Sequence, residues 1–360
     1  MERYPVRLDS ARAWRTYIGG SLLDAFHGNP AEKDTNFPEE WIMSVVQARN
    51  SGRENIVEGL SRIQGTEKTL KDFICENPEE LLGKKHFEKY GANLGVLIKI
   101  IDAGERLTVQ VHPTKDMARR LFDSEYGKTE CWHILGGRTV NGETPCIYYG
   151  FKKGITKGYW KKCFDEQNVP AMLNCLHRFP VKEGETFLIR GGIPHAIGAG
   201  CFLVEIQEPT DYSIRTERTT PAGLQVSDFM CHQGLGFERM FDCFSYEGQD
   251  EEKTRKLGCI EPKQLSSDEN AAETELIGYE DTPCFRMNKI EINSDYTFNG
   301  DDAFYGIYTL SGKGVLKMGS SRYELDPGMQ FFVPANCEKF SIERTGDIAV
   351  SLVQAFGPQI

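Results

Sequence analysis

The residues Leu107-Thr108-Val109-Gln110-Val111-His112-Pro113 alternate apolar and polar without a break, and a period of two belongs to a strand, which Pro113 ends. Side chains two apart share a face, so Thr108, Gln110 and His112 point one way and Leu107, Val109 and Val111 the other. An apolar face opposite a hydroxyl, an amide and an imidazole suits a strand that lines a polar pocket. Glu130 opens a second apolar run, Cys131-Trp132-His133-Ile134-Leu135, which can lie beside the first. Far downstream, Arg190-Gly191-Gly192-Ile193-Pro194-His195-Ala196 presents another histidine just after a Gly/Pro turn.

Gln110, His112, Glu130 and His195 together offer one amide oxygen, one carboxylate and two imidazoles. This nitrogen and oxygen set suits zinc or another first-row divalent ion. The spacing is loose, and a histidine beside a proline is also an ordinary core or surface residue. Eleven cysteines without one Cys-x-x-Cys pair fit neither a thiolate zinc site nor a disulfide framework, and point to reduced thiols in a cytoplasmic protein.

A chain of 360 residues exceeds the usual single core, so two lobes are expected. The first, 1–244, carries the metal set, with helical spacing near 66–90 (broken at Asn77-Pro78) and again at 154–178. A polar, acidic connection follows over 245–283, and a lobe of short strands over 284–360. Tyr323 to Pro334 repeats the pattern of Phe179 to Ile189, which argues for two related β-rich lobes. No histidine follows His232, so the second lobe has no metal set and is structural. The net charge of −11 disfavours nucleic acid and anionic lipid as partners. No apolar stretch approaches the ~20 residues of a membrane span, and Met1-Glu2-Arg3-Tyr4-Pro5 leads into no signal-peptide core.

Two charged residues stand inside apolar runs. Lys99 interrupts Leu94 to Ile101, either facing water from an edge strand or lining a pocket for an anionic substrate. Glu205, in Phe202-Leu203-Val204-Glu205-Ile206-Gln207, is either a base whose pKa desolvation raises or a salt-bridged carboxylate. Lys128 shares its side of an extended segment with Glu130. Lys152, Lys153, Lys157, Lys161 and Lys162 border a phosphate site or form a solvated helix face. His133 reads as a satisfied core or rim histidine.

Gln-Val-His-Pro, then Gly-Lys-Thr-Glu-Cys-Trp, then Gly-Gly-Ile-Pro-His-Ala closely resembles class I mannose-6-phosphate isomerase, a zinc enzyme of the cupin superfamily. The likeness extends to Trp14 to Gly20, Pro38 to Ser44, Leu203 to Gln207 and Tyr212 to Arg215. It implies a mainly β fold, two cupin-type jelly-roll lobes with a helical insert, and one zinc ion on Gln110, His112, Glu130 and His195. The implied activity interconverts mannose 6-phosphate and fructose 6-phosphate through an enediol(ate). Glu205, Arg215 and Lys128 match family active-site residues, and Thr108, with Lys99, would serve the phosphosugar. The preference for mannose rests on the resemblance alone. The chain departs from the commonest family wording at Glu40-Trp41-Ile42-Met43-Ser44. A non-catalytic phosphosugar-binding cupin is the alternative, and a metal-dependent oxygenase of the same fold a more distant one. The oligomeric state is left open.

Overall fold

Short alternating runs between glycine and proline turns satisfy their backbone only by pairing with one another. In the computed structural model, which describes residues 3–29, 33–50, 52–300 and 302–360, they form four antiparallel sheets. The fold is mainly β, as the alternation predicts. Met1 and Glu2, where the reading for a leader segment began, lie outside the described residues.

The first seven-stranded sheet runs, edge to edge, through Cys259–Ile260, Thr186–Ile189, Glu130–Gly137, Cys201–Gln207, Leu97–Asp102, Glu39–Ile42 and Arg12–Ala13. It faces a five-stranded sheet of Ile214–Arg215, Gln110–Val111, His195–Ile197, Cys146–Phe151 and Leu176–Pro180. Ile101, Trp132, Ile134, Ile147, Phe187 and Leu203 fill the space between them. Helices Lys157–Asp165 and Val169–Asn174 cover the outer face of the five-stranded sheet, packing Trp160, Phe164 and Met172 on Val109, Val111 and Ala196. Lys157, Lys161 and Lys162 pair with Asp242, Asp165 and Glu166 on that outer layer, so they form a solvated helix face.

The second seven-stranded sheet runs through Val6–Leu8, Gln330–Val333, Tyr305–Ser311, Val350–Phe356, Arg286–Ile292, Ala271–Ile277 and Lys263–Ser267. It faces a four-stranded sheet of Asp295–Phe298, Phe340–Arg344, Gly314–Met318 and Ser321–Leu325 across a core that includes Ile290, Ile307, Leu316 and Phe331. The two seven-stranded sheets meet back to back through Ile98, Ile100, Val204, Ile206, Met287, Phe332 and Val353. At the edges the chain crosses over. The early strand Val6–Leu8 pairs with Gln330–Val333, and the late strand Cys259–Ile260 pairs with Thr186–Ile189.

The repeated stretches occupy matching places. One leaves the five-stranded sheet at Pro180, turns at Gly184 (φ 87°) and joins the first seven-stranded sheet at Thr186. The other leaves the four-stranded sheet at Leu325, turns at Gly328 (φ 85°) and joins the second seven-stranded sheet at Gln330. With Gly184 laid on Gly328, the remaining strands correspond in sheet order, except that Ile214–Arg215 at the edge of the five-stranded sheet has no counterpart.

Three local expectations are corrected. The helical region near 66–90 breaks twice, giving Leu70–Glu76, Pro78–Leu82 and Lys84–Tyr90. The second break is at Gly83, whose φ of 87° a helix cannot use. The strand read from Leu107 onward narrows to Gln110–Val111, because the Val109 N–H donates to the Glu217 carboxylate instead of a neighbouring strand. Leu107 accordingly packs in the inner cluster, away from Val109 and Val111. Lys99 does not face water from an edge: its strand lies between two others and the residue is 2% exposed.

Candidate metal centre

Register brings the ligand candidates together from three elements. His195 pairs directly with Gln110 across the five-stranded sheet, so the two side chains share a face. His112 follows Gln110 by two residues, and Glu130 begins the strand opposite on the first seven-stranded sheet. His112, Glu130 and His195 are buried, with ligand atoms all within 4.8 Å of one another. The His112 and His195 Nε2 atoms stand 3.2 Å apart, and Glu130 oxygens lie 3.2 Å from the first and 3.4 Å from the second.

The donor chemistry identifies what fits between them. His112 Nδ1 meets the Tyr212 carbonyl at 2.8 Å and His195 Nδ1 meets the Ile193 carbonyl at 2.8 Å. A carbonyl only accepts, so each Nδ1 carries the proton and each Nε2 presents an unprotonated lone pair, that of His112 within 3.0 Å of the Lys128 ammonium. Two lone pairs facing one another beside a carboxylate call for a cation, and Glu130 Oε1 has no hydrogen-bond partner. Burial and the Lys128 ammonium push the His112 imidazole down to about 4, and burial lowers His195. Burial alone would raise the Glu130 carboxyl, but Lys128 and the imidazoles hold it well below the usual range. Neutral imidazoles and an ionised carboxylate are the forms that bind a divalent metal, so these residues fit zinc. The tethers from Nδ1 to backbone carbonyls are the usual outer support of such ligands.

Beside the ligands, Lys128 Nζ lies 2.8 Å from Glu130 Oε2 and 3.0 Å from His112 Nε2. A cavity of about 30 Å³ is lined by Lys128, Gln110, Thr108, Lys99, Glu205 and Arg215 among others, so every site residue read from the sequence either lines it or stands among the ligands. Glu205 lies directly across from Lys99, which donates to it at 2.9 Å, while Trp132 Nε1 donates to its other oxygen at 3.0 Å. Glu205 is therefore both buried and salt-bridged. Burial alone would lower the Lys99 ammonium, but Glu205 and Glu39 raise it. Arg215 donates to the Ser213 and Met230 carbonyls, at 3.1 Å each, and has no carboxylate within 4.0 Å among the described residues. Burial and the Arg15 guanidinium lower its pKa.

Three residues, Glu39, Arg15 and Asp211, escaped sequence reading. Glu39 accepts from Tyr17 Oη and Trp41 Nε1, at 2.7 Å each, and pairs with Arg15 at 3.3 Å and Lys99 at 3.7 Å. Arg15 in turn grips Asp211 with both terminal nitrogens, at 3.2 and 3.0 Å. The available signal was alternation: Glu39 and Trp41 share one face of their strand, whereas Glu40 turns to the other sheet and meets Tyr308.

His133 hydrogen-bonds Thr186 Oγ1 at 2.9 Å in the core, as expected, and burial pushes its pKa to about 4. Between an unfolded value near 6.5 and that folded value, the unfolded chain binds a proton that the folded one refuses. Stability attached to this residue is therefore present above about pH 6.5 and lost as pH falls toward 4, on the order of 2 kcal/mol by pH 5. Melting curves at pH 7 and pH 5 should show a smaller acid-induced drop in His133→Gln than in wild type. An equal drop would show that His133 does not refuse the proton.

The second pair of sheets lacks this chemistry. When its strands are matched by register, the His195–Gln110 pair corresponds to Phe340–Phe298, whose rings stack at 4.6 Å. Among the described residues, His112, Glu130 and His195 form the one cluster of this kind.

Comparison with known proteins gives a consistent result. The family model described as phosphomannose isomerase type I, catalytic domain, matches residues 23–129, and that for the mannose-6-phosphate isomerase cupin domain matches residues 277–353, together about half of the chain. The probable mannose-6-phosphate isomerase GmuF of Bacillus subtilis is 26% identical over 97% of this chain and 99% of its own. The mannose-6-phosphate isomerase of Streptococcus mutans is 25% identical over 76% of this chain and 79% of its own. Among solved structures, the mannose 6-phosphate isomerase from Bacillus subtilis superposes with a TM-score of 0.75 at 22% identity, covering 98% of this chain and 99% of that one. A mannose 6-phosphate isomerase bound with zinc and yttrium superposes with a TM-score of 0.69 at 16% identity, covering 98% and 99%. These structures share the fold.

Proposed function

We propose that this chain, which belongs to the type I phosphomannose isomerase family and carries the cupin fold, interconverts mannose 6-phosphate and fructose 6-phosphate with one zinc ion. Its ligands would be Gln110, His112, Glu130 and His195. The observation that carries the reading is the meeting of two unprotonated imidazole nitrogens and a buried carboxylate beside a cavity that holds Lys128, Glu205 and Arg215.

Bound there, zinc supplies a Lewis acid that polarises the sugar's carbonyl oxygen and makes the neighbouring C–H acidic. The reaction must then carry a proton between C1 and C2 on one face of an enediol(ate). Glu205 takes that role. Lys99 and Trp132 fix its two oxygens, so the carboxylate meets the substrate in a set orientation. Lys128 donates to sugar oxygens and helps the ring to open. Arg215, free of a carboxylate partner among the described residues, binds the phosphate, and the Thr108 hydroxyl adds a donor. Lys99 contacts substrate least, since Glu205 and Glu39 already occupy its ammonium.

A cavity of about 30 Å³ has room for about one water. A hexose phosphate must therefore displace part of its wall. The adjoining cleft of about 620 Å³ supplies the route, since Arg215 lines both, with Arg49, Asn50, Tyr212 and Phe229 on the outer side.

The test is a coupled assay with mannose 6-phosphate before and after chelation, with zinc then returned. Turnover should disappear with the chelator and come back with zinc. No turnover from folded, zinc-loaded protein would sink the isomerase reading and leave a phosphosugar-binding role.

A further inference from the structure

We propose that Arg15 is a positioning residue for His112, acting through Asp211 and the Tyr212 carbonyl. The inference rests on the reading of His112 as a zinc ligand. Arg15 is 6% exposed, far from His112 in sequence, and its two terminal nitrogens close a two-pronged contact on Asp211. The next residue, Tyr212, supplies the carbonyl that His112 Nδ1 bonds at 2.8 Å. That bond decides which His112 nitrogen carries the proton and where Nε2 points.

The segment from Glu208 to Ser213 has no regular structure of its own, so its carbonyl is held by side chains. Thr210 Oγ1 donates to the Gly127 carbonyl at 2.7 Å, Gln207 Nε2 donates to the Thr210 carbonyl at 2.6 Å, and the Tyr212 ring stacks on Phe122 at 4.6 Å. These hold the segment's start and the Tyr212 ring. Arg15 holds the residue whose backbone leads directly into the Tyr212 carbonyl. Its guanidinium is in turn fixed by Glu39 at 3.3 Å. A planar fork on a carboxylate restricts rotation in a way that a single hydrogen bond does not.

The test titrates zinc into metal-free wild type, Arg15→Gln, Asp211→Asn and the double variant, against a chromophoric chelator and well below each melting temperature. Each single substitution should weaken zinc binding about 10- to 100-fold. The double variant should lose no more than the weaker-binding single, because the two residues act as one clamp. Folded variants that melt earlier yet bind zinc as tightly as wild type would overturn the proposal, leaving Arg15 as a stabilising contact only. If Arg15→Gln does not fold, the isosteric Asp211→Asn decides alone. Wild-type protein that binds no zinc would overturn the metal reading itself, which is a separate result from equal affinities across the series.

Discussion

Glu130→Gln should yield a protein without bound zinc whose kcat/KM is lower by about a thousandfold or more, since a Lewis acid contributes several kcal/mol and each 1.36 kcal/mol is a factor of ten. The substitution keeps the shape and removes the one negative charge among the ligands. It also strands Lys128, whose ion pair is with Glu130. An uncompensated buried ammonium is costly, so the melting temperature should fall as well. Metal analysis of the purified variant, beside the assay, checks both. Full zinc occupancy with near-normal turnover would remove Glu130 from the ligand set. Combining the change with Lys128→Met, which relieves the stranded charge, separates instability from loss of metal.

Glu205→Gln should behave differently. The amide keeps an oxygen for Trp132, and Lys99 keeps Glu39 as a partner, so the fold and the zinc are retained. What disappears is the group proposed to shuttle the proton, and kcat should drop by about 10² to 10⁴-fold with KM little changed. Exchange of the transferred hydrogen with deuterated solvent, followed by NMR, should stop in parallel. A variant that still turns over at a third of the wild-type rate would move the base elsewhere.

The two effects trace to residues of unequal legibility. Gln110, His112, Glu130 and His195 could be picked out as candidates because strand alternation and a Gly/Pro turn suggest directions locally, and the family resemblance joined them into one set. The Lys99–Glu205 pair could not, because two residues 106 apart meet only through the register of neighbouring strands. Lys99 alone read either as an edge residue facing water or as a cation lining a pocket; neither reading supplied the carboxylate directly opposite. Arg15 and Asp211 are further out of reach, 196 apart and on irregular backbone, where no periodicity gives a direction. The mainly β fold and the matched turns at Gly184 and Gly328 were visible because a turn is written in a few adjacent residues. The Phe298–Phe340 stack was not, since it is defined by its place opposite another strand.

The crossing of edge strands bears on how the molecule is made. Val6–Leu8 is made long before its partner, Gln330–Val333, and must wait for it. Closing a loop of that length costs entropy, and such a contact forms late. The metal-bearing sheets have a similar wait of their own, because their outer strand Cys259–Ile260 is made well after His195. Each seven-stranded sheet is thus closed at one edge by a strand from the other part of the chain. A cut made in the acidic stretch before Cys259 would not release two finished pieces, since each would carry away a strand that belongs to the other.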